Sequence, residues 1–128
     1  RDYKVTGVQT CALPIFLFRE PGADKVASVL TGSCISAINL SEVAVRFMRD
    51  GHDPIQVQQR LSLLPLEVVP FERVSAYETA RLIQSTGSLG LSLGDRACLS
   101  LALARDLTAW TADQAWQHVT GIKVFVIR

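Results

Sequence analysis

Apolar and polar positions along this chain fall into short blocks whose period switches between that of a helix and that of a strand. Val8 to Leu13 reads as a strand. Glu20-Pro21-Gly22 is a turn signal, and Ala23 to Leu30 follows as a short helix with Val26, Val29 and Leu30 on one face. Thr31-Gly32-Ser33 breaks it, and Cys34-Ile35-Ser36 is a short strand whose Ser36 can cap the next helix. Ala37 to Asp50 has the clearest helical period. Asn39, Glu42, Arg46, Arg49 and Asp50 form a narrow polar stripe, and Ile38, Leu40, Val43, Val45, Phe47 and Met48 cover the rest. So wide an apolar arc predicts a mostly buried helix. Gly51 ends it, and Asp53-Pro54 opens another helix to about Leu63, with Asp as N-cap and Pro in the first turn.

Leu66 to Val69 predicts a buried strand. Phe71 to Ser85 reads as a helix with Val74, Tyr77, Ala80, Leu82 and Ile83 as its apolar positions, and Gly87 to Gly90 as a loop. Gly94 to Asp106 is helical and apolar nearly all round, interrupted by Asp95, Arg96, Ser100 and Arg105. Leu107 to Thr111 is a strand, Asp113 caps a short helix to about Val119, and Lys123 to Ile127 is a last strand. Short apolar strands alternating with helices predict a three-layer α/β domain, a mainly parallel central sheet flanked by helices.

Composition narrows the class. The 128 residues suit one domain, 48% hydrophobic and 20% charged, with a net charge of +1. That balance gives no global basic footprint for nucleic acid. No apolar run approaches the ~20 residues of a membrane span. Three widely spaced cysteines, Cys11, Cys34 and Cys98, form neither a disulfide framework nor a Cys-x-x-Cys metal site. The expectation is a reduced, cytoplasmic protein with no membrane partner.

In open parallel sheets, ligands bind outside the carboxyl ends of the strands. After Ile35 come Ser36, Asn39 and Glu42; after Trp110 come Thr111 and Asp113; Asp95 opens an apolar helix. Three carboxylates on one rim would repel unless a cation neutralised them, and hard ions such as Mg²⁺ or Mn²⁺ take oxygen ligands. Each acid also has a plain structural reading. Glu42 stands four residues before Arg46, as in a solvated helical ion pair. Asp95 suits a capping box with Ser92, and Asp113 an ordinary N-cap. Other chemistries fare worse: the Gly87 to Gly94 loop lacks a phosphate-binding pattern, His52 and His118 suggest no general base, and Trp110 and Trp116 read as core or interface residues.

The run Ile35-Ser36-Ala37-Ile38-Asn39-Leu40-Ser41-Glu42-Val43 resembles the second motif of PIN domains. Leu91-Ser92-Leu93-Gly94-Asp95-Arg96-Ala97-Cys98-Leu99 resembles the third, and Thr111-Ala112-Asp113-Gln114-Ala115-Trp116 the fourth. Phe18-Arg19-Glu20-Pro21-Gly22 resembles the segment after the first motif. The resemblance runs from Phe16 to Arg128 and is in particular to VapC-type toxins of bacterial toxin–antitoxin pairs. It implies a Mg²⁺- or Mn²⁺-dependent endoribonuclease. Glu42, Asp95 and Asp113 would bind the metal, with Ser36, Asn39 and Thr111 in support. It also implies an RNA substrate, a homodimer and an antitoxin over the active-site groove. Arg96 would contact RNA phosphate or the antitoxin, or pair with a neighbouring acid.

The first motif departs from the family. Its strand-end Asp falls on Gln9 and its Ser on Cys11, and Pro14 falls where the first helix begins. Residues 1–15, RDYKVTGVQTCALPI, resemble a translated sequencing-library adapter: Val5 to Ile15 back-translate onto one, with Tyr3-Lys4 in its index. The expectation is therefore a non-native segment at 1–15 joined to a PIN domain at 16–128 that lacks its native first strand. In that remainder eleven basic residues balance eleven acidic ones. With neutral Gln9 in place of the first acid, an impaired nuclease is expected. The alternatives are a non-catalytic PIN-like module that binds antitoxin or RNA, and a generic α/β domain whose carboxylates are caps and solvated charges.

Overall fold

A computed structural model of the chain describes residues 7–9 as backbone and residues 12–127 in full. Fourteen elements follow one another among these residues, beginning with β1 (Gly7–Gln9), α1 (Ala12–Leu17) and α2 (Ala23–Leu30). Then come β2 (Cys34–Ser36), α3 (Ala37–Arg49), α4 (Pro54–Leu61) and β3 (Glu67–Val69). Next are α5 (Arg73–Arg81), α6 (Ile83–Thr86) with a 3₁₀ turn at Gly87–Leu89, and α7 (Leu93–Arg105). β4 (Thr108–Thr111), a 3₁₀ helix at Gln114–His118 and β5 (Val124–Val126) close the series. The strand expected over Val8 to Leu13 is shorter: Thr10 and Cys11 lie outside the described residues, and Ala12 and Leu13 already belong to α1. Pro14 sits in the first turn of that helix, where its missing N–H costs no internal hydrogen bond.

The five strands form one sheet in the order β3-β2-β1-β4-β5, and every neighbouring pair is parallel. This is the expected three-layer arrangement. Side chains alternate across it, as strand geometry requires. Cys34 and Ala109 pack with Cys98, Leu99, Ala102 and Trp116 beneath α7. The next residues along, Ile35 and Trp110, face the other side. There Ile35 joins Leu13, Leu30 and Val43, and Trp110 joins Ala12, Ile15, Val26 and Ile127. Helix α7 therefore fills one layer, with α5 packed on it, and α1 to α3 build the other. At the start of α2, Gly22 has φ 103°, and a Cβ there would fall 2.6 Å from the Ile127 side chain. Only glycine satisfies both the backbone and the contact.

Three apolar patterns meet different surroundings from those expected. β3 is an edge strand with exposed Glu67 and Val68, not a buried one, because β2 is its one neighbour in the sheet. In α3 only Asn39 and Val43 are buried, and Val45 and Met48 reach the surface. The helix packs on β2 and β3 and touches α4 and α7, which leaves part of its apolar arc uncovered. In α5 the pattern inverts: Val74 and Tyr77 are 67% and 66% exposed, whereas Thr79 is buried. The helix turns its small hydroxyl residues toward α7, where Ser75 and Thr79 line a cavity of about 50 Å³ with Ser100. Close helix–helix approach favours small side chains, and this face supplies them.

Candidate functional site

Because all five strands run the same way, their C-terminal ends lie along one rim. Ser36 ends β2, Gln9 ends β1 and Thr111 ends β4, and these three strands are adjacent with β1 in the middle. Gln9 pairs with Trp110, one residue before Thr111, while Val8 pairs with Cys34, two residues before Ser36. Position 9 therefore stands at the centre of the rim, between the strand that leads to Glu42 and the strand that leads to Asp113.

The β2 side is the more fully built. Ser36 is buried and caps α3, its Oγ accepting from the backbone N–H of Ile38 at 3.2 Å. That fixes the entry of α3 and the direction of its first two turns. Asn39 is fully buried one turn on. Its Nδ2 donates to the Gly94 carbonyl at 2.8 Å and to Glu42 Oε1 at 3.2 Å. Its Oδ1 has no hydrogen-bond partner among the described residues. Glu42 thus turns toward the start of α7, the helix that carries Asp95. The ion pair that its spacing to Arg46 suggested does not form. Arg46 instead reaches Glu20 at 3.1 Å and lies 4.0 Å over the Phe18 ring, which is stacked on Phe47.

Asp95 and Asp113 take the structural roles that their positions allowed. Asp95 closes a capping box: its backbone N–H donates to Ser92 Oγ at 3.1 Å, and its Oδ2 accepts from the Ser92 N–H at 3.0 Å. Asp113 Oδ1 accepts from the Ala115 N–H at 2.9 Å and starts the 3₁₀ helix. Thr111 is fully buried, and its Oγ1 accepts from the Asp113 N–H at 3.0 Å, which fixes the turn between rim and acid. Each cap uses one carboxylate oxygen and leaves the other for different work. Arg96 donates from Nη1 to the Leu91 carbonyl at 2.9 Å rather than to an acid.

A Mg²⁺ centre needs several oxygen ligands gathered at about 2.0–2.1 Å from one point, and Mn²⁺ likewise takes oxygen ligands. Among the described residues no group of three or more His, Cys, Asp or Glu side chains is placed to hold such an ion. Glu42 is seated against α7, and Asp95 and Asp113 each spend an oxygen on a helix start. The acids present do not by themselves fit the ion.

Gly94 stands in the third motif, but the sequence assigns it no role of its own. A Cβ there would fall 2.5 Å from Glu42 Cδ and closer still to both carboxylate oxygens. A glycine in the first turn of an otherwise apolar helix was the available signal, and only the contact with α3 gives it meaning.

The strongest charge pairing lies at the opposite end of the sheet. Arg105, last in α7, forks onto Glu67 with bonds of 2.8 and 3.0 Å. These bonds hold the Glu67 carboxyl below its ordinary range and raise Arg105. Burial pushes the Cys34 thiol up, and Arg105 partly opposes that. Cys34 and Glu67 pair across β2 and β3, so the fork ties α7 to the start of the sheet.

Comparison with known proteins follows the same geometry. A family model described as PIN domain matches residues 9–122. No curated protein matches the chain. Among solved structures, a chain of a toxin–antitoxin complex from Klebsiella pneumoniae superposes with TM-score 0.73 at 20% identity, covering 96% of this chain and 98% of that one. A chain of DNA-bound VapBC from Salmonella typhimurium gives 0.68 at 15% identity over 94% and 98%. One of VapBC2 from Rickettsia felis, bound to a promoter DNA fragment, gives 0.64 at 18% over 88% and 90%. At these identities the likeness is one of fold.

Proposed function

This chain belongs to the PIN-domain family, and from that premise we propose that it is the endoribonuclease of a type II toxin–antitoxin pair, impaired in the present sequence. In this reading Glu42, Asp95 and Asp113 are the acids that would face a Mg²⁺ or Mn²⁺ ion once an acid at position 9 completes the set. Ser36, Asn39 and Thr111 hold them in place. The fold shared with chains of toxin–antitoxin complexes supports an antitoxin partner. An RNA substrate, a homodimer and a cytoplasmic location complete the proposal. No helix among the described residues is long and apolar enough to cross a membrane.

One observation carries the impairment. Gln9 occupies the central position of the rim, where an acid would lie between the Glu42 and Asp113 sides. A carboxamide offers a carbonyl oxygen and no charge, and the remaining acids are not gathered around one point. Residues 1–15 are, in this account, a non-native segment whose Gly7–Gln9 backbone takes the place of the native first strand. The same observation favours a second reading for the chain as it stands, a binding module that engages antitoxin or RNA without cutting.

Thermal denaturation with and without Mn²⁺ separates these from a generic α/β domain. The Gln9→Asp chain is expected to gain stability with Mn²⁺, and Asp95→Asn is expected to remove the gain. The unaltered chain should shift little. Absence of any Mn²⁺ shift in the folded Gln9→Asp chain would contradict the metal-dependent reading.

A further inference from the structure

We propose that Gly94 is a positioning residue whose missing side chain forms the seat of the Glu42 carboxylate; this rests on the nuclease reading above. Gly94 does not adopt the left-handed backbone that calls for glycine elsewhere in the chain, as at Gly22, Gly51 and Gly90. It lies in the first turn of α7, where alanine is the better helix former. Its Cα instead meets the Glu42 carboxylate so closely that an added Cβ would fall 2.5 Å from Cδ. Asn39 completes the seat: fully buried, it bonds the Gly94 carbonyl with one amide hydrogen and Glu42 Oε1 with the other. Asn39 of α3 and Gly94 of α7 thereby fix the carboxylate against the residue that precedes Asp95 in the chain.

The atom that an alanine would strike is the far end of a flexible side chain, not backbone. The helix can keep its place while Glu42 swings away. Gly94→Ala should therefore separate folding from function.

The seat is tested first in the full chain by NMR and melting. Gly94→Ala is expected to leave Tm unchanged or higher. It should also shift the Asn39 side-chain amide signals and speed their hydrogen exchange, while Leu93→Ala, an exposed change one residue away, does neither. In the Gln9→Asp chain, Gly94→Ala is then expected to lower RNA cleavage about 100-fold, the scale of a displaced reacting group. Glu42→Ala should match that loss, and the double variant should be no worse than either. Unmoved Asn39 signals would overturn the proposal, as would a large fall in Tm, which would make Gly94 a backbone requirement. Moved signals with no cleavage by any Gln9→Asp version would uphold the seat and overturn the nuclease reading.

Discussion

The side-chain amide of Asn39 reaches from α3 to the carbonyl of Gly94 in α7, 2.8 Å away, across 55 positions of sequence. The same amide holds Glu42 Oε1 at 3.2 Å. One buried polar group thus joins two helices and orients an acid at the rim.

Asn39→Ala removes both bonds and leaves a small cavity in a fully buried place. A loss of about 1–3 kcal/mol of unfolding free energy is expected, the range for buried polar groups deprived of a partner. Urea denaturation of the two proteins measures it. A change below the error of that measurement would mean that the α3–α7 tie carries no stability.

Asp95 and Asp113 serve as helix caps as well as candidate acids, and amide substitution separates the two roles. Asp95→Asn and Asp113→Asn keep an acceptor oxygen for the Ser92 and Ala115 N–H groups. Both variants are expected to fold with little loss, whereas Asp113→Ala should lose about 0.5–2 kcal/mol, the usual cost of an N-cap. Denaturation curves for the three variants check this. Equal losses in Asp113→Asn and Asp113→Ala would assign the effect to charge instead.

The Arg105 fork gives a pH dependence with a defined sign. Glu67 has its carboxyl lowered by Arg105, so the folded state holds this proton less tightly than the unfolded chain. Its contribution is complete above the ordinary Glu value of about 4.3 and is lost as pH falls through the lowered folded value. Both side chains are substantially exposed, 39% for Arg105 and 57% for Glu67, so the contribution is about 0.2–1 kcal/mol at most. The stability gap between the parent and Glu67→Gln should be constant from pH 8 to 6 and close toward pH 3. A gap that widened on acidification would contradict this linkage.

The alternation of short strands with helices made the three-layer sheet legible in the sequence, because period and turn chemistry are local properties. Burial was less so. Val68 and Val69 read as a buried strand, but β-branched residues suit an edge as well as a centre, and only the strand order reveals β3 as an edge. Val74 and Tyr77 looked like the inner face of α5, yet the close approach to α7 selects Ser75 and Thr79 instead. At the site, Ser36, Asn39 and Glu42 were visible as a helical cluster. Gly94 was not, since its role exists only where α3 meets α7. The capping roles of Asp95 and Asp113 were readable from spacing alone and form as read.

One neutral residue at the middle of the rim, Gln9, is proposed to separate this chain from an active ribonuclease. The direct test incubates the chain and its Gln9→Asp version with structured RNAs and Mn²⁺ or Mg²⁺, each with and without EDTA. The account predicts cleavage by the Asp version, abolished by EDTA, and little or none by the unaltered chain. Equal cleavage by both would contradict the assigned role of position 9, and cleavage by neither folded protein would contradict the nuclease reading itself.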